Sequence, residues 1–235
     1  MPAQIKINLL LTFDKAPEEA VKYLERLGVK ITWNWQEQLQ AIKEKAFTIS
    51  KITNADLLQE VQNKLIEALN KGTPYSDFKD ELNEILKNRG YIKKEDGSQW
   101  RLDTIYRTNL QSAYMAGRYK QQQEVVKNFP YWEYVSILDN RTTVSCRDLN
   151  GTILPANDPF WKINYPPRHY NCRARVISHN KSTLNQYNKT LSDSSKYSNI
   201  KPAEGFEYYP GEWQPDLSKY SPKLKNALTK VISND

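Results

Sequence analysis

Apolar positions recur at helical spacing through the first hundred residues and give way to strand-like runs only after Pro130. A helix is predicted over 17–27, with a proline at its start, Glu18 and Glu19 in its first turn and Gly28 past its end. Another is expected over 33–47, where Trp35, Leu39, Ile42 and Phe47 share a face. Thr53-Asn54-Ala55-Asp56 supplies an N-cap region for the stripe Leu57, Leu58, Val61, Leu65, Ile66 and Leu69, and Asn70-Lys71-Gly72 stops it. Ser76 is read as the cap of a fourth helix that turns Phe78, Leu82, Ile85 and Leu86 inward and ends at Gly90. These stripes are read as core.

Residues 91–99 are polar and read as a surface loop. A long helix is predicted from about residue 100 into 124–127, carrying Leu102, Ile105, Tyr106, Leu110, Ala113, Tyr114 and Ala116. Arg107, Thr108 and Asn109 break its pattern, because Thr and Asn are poor helix formers. Two readings stand: the group meets the Asp139 loop, with Arg107 pairing to Asp139, or it faces solvent. After Pro130, the aromatic and β-branched run 131–138 predicts a strand, and 152–154 and 174–177 are shorter strand candidates. Pro155, Pro159, Pro166 and Pro167 leave little room for regular structure between them. The polar stretch 182–198 reads as a flexible linker, and a tail with Trp213 ends in a short helix near 222–231. The fold class expected is α+β: a helical region over 1–90, a long helix plus a small β module over 91–180, and a linker and tail over 181–235.

The 39% hydrophobic and 11% aromatic composition excludes disorder for most of the chain. Residues 7–13 are too short an apolar stretch for a secretory signal, and no segment approaches the roughly 20 apolar residues of a membrane helix. The chain is therefore read as soluble and made in a reducing cytosol, without a membrane partner. Residues 1–100 hold 15 basic and 15 acidic residues, so the net charge of +7 lies entirely in the remaining 135. That asymmetry serves solubility or marks a surface for an acidic partner such as DNA.

The two cysteines, Cys146 and Cys172, and one of the two histidines, His169, fall within 27 residues. Thiolate and imidazole suit Zn²⁺, with Asp139, His179 or water as a fourth ligand. Two other readings remain open. The cysteines could be small buried apolar groups beside a turn histidine, or they could form a disulfide once outside the cytosol. Arg141, Arg147, Arg168, Arg173 and Arg175 surround the segment. Arg141 and Arg173 are read as bracing against Asp139, Asp148 or Asp158, whereas Arg147, Arg168 and Arg175 are candidates for DNA phosphates. No Gly-rich phosphate loop, His-Glu-x-x-His or Gly-x-Ser-x-Gly is present, and Thr142, Thr143 and Ser145 lack a base other than His169.

Tyr106-Arg107-Thr108-Asn109, Asp139-x-Arg141-Thr142, Cys146, Leu149-x-Gly151, Asp158-Pro159-Phe160-Trp161, Tyr165-Pro166-Pro167 and Asn171-Cys172-Arg173 occur in that order. Together with Ala46-Phe47-Thr48 and Trp213-Gln214-Pro215-Asp216-Leu217, they resemble the phage Mu protein F-like family, the minor head or head-morphogenesis proteins of tailed bacteriophages and prophages. The resemblance covers nearly the whole chain. It implies a non-enzymatic protein of the virion head interior, found in the infected cell's cytoplasm during assembly, with portal and capsid proteins and double-stranded DNA as partners. It also makes Arg107, Thr108, Asn109, Asp139, Arg141, Thr142, Gly151, Pro166, Pro167 and Arg173 a structural signature. Alternatives carried forward are a DNA-binding protein of the head and a zinc-dependent or toxin-related enzyme module. Many similar chains read Cys-Arg-Cys where this one has Cys172-Arg173-Ala174.

Overall fold

The computed structural model describes residues 18–31, 47–49, 52, 54–91 and 99–207. The expected helix over 33–47 (Phe47 apart), the 92–98 part of the polar loop, and the tail with its last helix lie outside the described residues. Helices α1 (Glu18–Arg26), α2 (Ala55–Lys71), α3 (Tyr75–Asn88) and α4 (Gln99–Glu124) come first. Strands β1 (Tyr131–Val135), β2 (Ile153–Pro155) and β3 (Arg175–His179) follow. Three short helices accompany them: α5 (Val144–Asp148), α6 (Phe160–Asn164) and α7 (Lys181–Gln186). The architecture is α+β, as the pattern predicts.

The caps explain the helix ends. Asn54 Oδ1 accepts from the Leu57 N–H at 3.0 Å at the start of α2, and Gly72, at φ 63°, closes its end with its N–H on the Ala68 carbonyl. Ser76 is not the cap expected of it. α3 begins two residues earlier than such a cap would allow, with Pro74 in the cap position, and Ser76 Oγ donates to Asp77 instead. Buried Gln62 on α2 donates to the Leu24 and Leu27 carbonyls at 2.6 and 2.8 Å, satisfying the C-terminal end of α1 from a neighbouring helix.

Two apolar clusters meet along α4. Leu102, Ile105 and Ala113 join Leu24, Leu57, Leu65, Phe78 and Leu82 among the helices. Met115 and Tyr119, further along, join Trp132, Tyr134, Trp161 and Tyr165 around the sheet. The rings meet edge to face, with Tyr119 and Trp132 centroids 5.6 Å apart at 83° and Trp132 and Trp161 5.6 Å apart at 66°. α4 is thus the shared wall of both halves.

The sheet is antiparallel in the order β2-β1-β3, so both outer strands present an edge. Polar side chains of α4 cover the β3 edge: Gln111 Nε2 donates to the Ala174 carbonyl and Arg118 Nε to the Val176 carbonyl, each at 2.6 Å. Gln122 Nε2 donates to Ser178 Oγ at 2.8 Å, and its Oε1 accepts from the Tyr165 hydroxyl at 2.6 Å. The β2 edge is covered by Ser192, whose N–H donates to the Ile153 carbonyl while its hydroxyl accepts from the Ile153 N–H.

Ser192 lies in the stretch expected as a linker, and that stretch carries structure instead. Asn180 and Thr183 form a reciprocal capping box at α7, Leu184 is buried, and Ser194–Tyr197 forms a 3₁₀ turn. Half-buried Lys189 reaches back to Glu133 at 2.5 Å, and buried Glu133 also meets buried His179 Nε2 at 2.7 Å. The Ser, Thr and Asn that suggested flexibility act as caps and edge partners.

Candidate functional site

The densest chemistry is held between β1, α5 and the loop 165–173. Thr143 caps α5 with its hydroxyl 3.4 Å from the Cys146 N–H, which seats Cys146 inside the first turn. Cys146 and Cys172 are each 3% exposed and both are free thiols. Their sulfurs stand 4.0 Å apart, far beyond the ~2.05 Å of a disulfide. His169 Nε2 lies 3.2 Å from Cys146 Sγ and 3.1 Å from Thr143 Oγ1. The three ligand atoms of Cys146, His169 and Cys172 all fall within 4.8 Å of one another. Sequence proximity of scarce residues has become spatial convergence.

His169 Nδ1 is 2.7 Å from the Tyr170 carbonyl oxygen. A carbonyl only accepts, so Nδ1 carries the proton and Nε2 is turned toward the sulfur. The Tyr134 hydroxyl, from β1, is 3.2 Å from Cys146 Sγ, and Ser136 Oγ donates to the Cys146 carbonyl at 2.6 Å. The Cys172 thiol's hydrogen bond is the largest influence pulling Cys146 well below the ordinary thiol range; His169, Tyr134 and Thr143 help, and burial opposes. The same hydrogen bond, then burial, pushes Cys172 up. His169 is raised first by its bond to Cys146. The shared hydrogen bond thus favours ionisation at Cys146 and opposes it at Cys172.

The scaffold beneath is braced by charge. Arg173 grips Asp139 bidentately, Nη1 to Oδ2 at 2.7 Å and Nη2 to Oδ1 at 2.6 Å. The Arg141 N–H adds a bond to Oδ1 at 3.0 Å, with its guanidinium 3.7 Å from Oδ2, and Thr142 Oγ1 closes the turn by donating to the Ile137 carbonyl. Arg173 is the first cause holding the Asp139 carboxyl well below the usual carboxylate range. The bracing expected of Arg141 and Arg173 is present, and its anchor is Asp139.

Several expectations change. Asp139 belongs to Arg173 and is no part of the cysteine–histidine group, and His179 faces Glu133 instead. Arg107 does not pair with Asp139; its guanidinium lies over the Tyr75 ring, 5.3 Å from the centroid. Thr108 meets the 165–173 loop, its hydroxyl accepting from the Asn171 N–H at 3.2 Å, while Asn109 donates to the Ile105 carbonyl of its own helix. Asn171, at φ 57°, is thereby pinned one residue before Cys172. Arg168 is wholly buried, with Nη2 on the Ile200 carbonyl at 3.1 Å, so it is out of reach of DNA phosphates. Arg147 and Arg175 are exposed. Gly151, at φ 80°, supplies the left-handed turn between α5 and β2, its N–H on the Tyr134 carbonyl at 2.8 Å. Pro166 and Pro167, near the start of that loop, are buried.

Sequence reasoning missed Tyr134, Ser136 and Thr104, which bonds the side chain of Asn171. Only the alternation of Trp132 and Tyr134 on β1 could have drawn attention to one of them.

Residues 59–177 match the family model described as Phage Mu protein F like protein. The chain is 33% identical over 217 residues to the putative capsid assembly protein F of Escherichia phage Mu, covering 87% of this chain and 49% of that protein. It is 41% identical over 157 residues to the Mu-like prophage FluMu F protein of Haemophilus influenzae, covering 63% of this chain and 38% of that protein. The chain thus spans half or less of the length of these relatives. No solved structure matches it.

Proposed function

The chain belongs to the phage Mu protein F-like family, and from that premise we propose that it acts without catalysis in building the head of a tailed phage or prophage. The observation that carries this reading is the family match itself. It runs from α2 through β3 and so takes in most of the helical region and the braced module. The relative from phage Mu is described as a putative capsid assembly protein. In this reading residues 1–90 and 91–180 are functional divisions of one chain, its partners are portal and capsid proteins, and its place in the particle is the head interior.

The surface supports such a role. Ile137, Leu138 and Val144 are 47, 60 and 74% exposed around the Asp139 turn, an apolar rim on a rigid support. Arg147 and Arg175 stand exposed on the same module and are the arginines that fit contact with DNA phosphates during packaging or delivery. Among the described residues, no helix is long and apolar enough to cross a membrane.

The test is co-expression with the portal and major capsid proteins of the same element, followed by affinity capture with and without nuclease. The expected result is capture of portal or capsid protein that survives nuclease. Capture abolished by nuclease makes DNA the bridge, and capture of neither protein removes the assembly reading.

A further inference from the structure

We propose that Cys146, His169 and Cys172 bind one divalent cation of the zinc class, clipping α5 to the loop 165–173 and leaving the fourth coordination position to solvent. The inference stands on side-chain geometry and does not depend on the assembly reading.

The donor set is the first support. Two thiolates and one imidazole are the ligands that soft and borderline cations select over the harder magnesium and calcium. The spacing is the second. Zinc bonds of ~2.3 Å to sulfur and ~2.0 Å to nitrogen place neighbouring ligand atoms of a tetrahedron about 3.5–3.8 Å apart. The sulfur–sulfur separation of 4.0 Å and the sulfur–nitrogen separation of 3.2 Å bracket that range. The third pair, Cys172 and His169, lies within 4.8 Å, so side-chain rotation of up to about an ångström brings the three atoms to the corners of one tetrahedron.

The third support is the histidine's own hydrogen bond. With Nδ1–H donating to the Tyr170 carbonyl, Nε2 is the nitrogen directed at the sulfurs. Metal-binding histidines use this arrangement, one ring nitrogen fixed by an outer partner and the other free to ligate. The loop is also held without any ion. Asn171 hangs from Thr104 and Thr108 of α4, and Arg173 is clamped on Asp139, so the residues flanking Cys172 are fixed on both sides.

Solvent reaches the group from the side of Cys146 and His169. A crevice with about 10 Å³ of free space, room for about one water molecule, opens beside the group between Ser136, Thr143 and Ala174. No further Cys, His, Asp or Glu among the described residues joins the three. A site of three protein ligands and a solvent position is open and therefore accessible to chelators.

The experiment uses the full chain freed of any polyhistidine tag and purified without chelator from zinc-supplemented medium. Elemental analysis should find one zinc per chain. Protein stripped under reducing conditions and titrated with Co²⁺ should show the visible bands of a tetrahedral thiolate-ligated cobalt centre, saturating at one equivalent and bleached by zinc. Cys172→Ser and His169→Ala should each lose stoichiometric binding, with circular dichroism confirming that they fold. Should those variants not fold, thiol titration of the unaltered chain decides: zinc must slow modification of both cysteines. A metal-free chain with two reactive thiols and no cobalt bands overturns the proposal. So does a Cys146–Cys172 disulfide in freshly purified protein, or zinc retained by a folded Cys172→Ser variant.

Discussion

At the scale of single residues, the module between β1 and β3 hangs on Asp139. Its carboxylate accepts from both Arg173 guanidinium nitrogens and from the Arg141 N–H, which favours the ionised form in the folded chain. The folded-state pKa is depressed, so this contribution is present above the unfolded value of about 3.9 and fades as pH falls below it. Asp139→Asn should therefore melt lower than the parent at pH 7, and the gap should hold down to about pH 4 and then narrow steadily as the solution is made strongly acid. Thermal denaturation across that range checks it; a constant gap would show that the Asp139 charge does no stabilising work. The scarce residues were the legible ones. Two cysteines and a histidine crowded into one segment were readable because a chain this long offers so few. Arg168 shows the opposite case: nothing in the sequence distinguishes it from Arg147 and Arg175, yet it is wholly buried and they are exposed. Tyr134 likewise looks like a strand aromatic until the fold sets its hydroxyl against Cys146.

Among the elements, α4 is the member on which both clusters depend. Gly117 sits in its middle, where a Cβ would come within 2.9 Å of Glu19 Cβ and 3.0 Å of the Ala20 backbone nitrogen on α1. Glycine in a helix interior ordinarily costs about 1 kcal/mol relative to alanine, and here it admits the close approach of α1. Gly117→Ala should destabilise the chain by about 1–2 kcal/mol, because overpacking against backbone outweighs the gain in helix propensity. Denaturant unfolding gives the sign directly, and a more stable variant would mean that α1 moves away freely. Helices α2 and α3 and most of α4 were legible because their apolar stripes run for several turns with glycines at the ends of α2 and α3. The five-residue helices α5 and α6 were not, since a single turn holds too few positions to show a period. α6 forms because the Asp158 carboxylate accepts from the Phe160 N–H at 2.9 Å, a local bond that the surrounding prolines concealed. The stretch 182–198 misled for a related reason: Thr183 completes the cap of α7 and Ser192 pairs with the β2 edge, although most of the stretch faces water.

For the whole molecule, the chain joins a helical half to a small braced sheet through one shared helix, and the family match spans that junction. The α+β class was legible from the change of period at Pro130. The pairing order β2-β1-β3 was not, because it depends on long-range contacts that no local pattern encodes. Ile137, Leu138 and Val144 are exposed beside a turn that the Asp139–Arg173 pair holds in place. The proposed role makes this chain necessary for building heads. The most direct test removes its coding sequence from an inducible parent element and counts DNA-filled heads by electron microscopy, with the protein resupplied in trans as control. Filled heads should be lost without the chain and restored when it is resupplied. Filled heads in undiminished number without it would show that the chain is dispensable for head building.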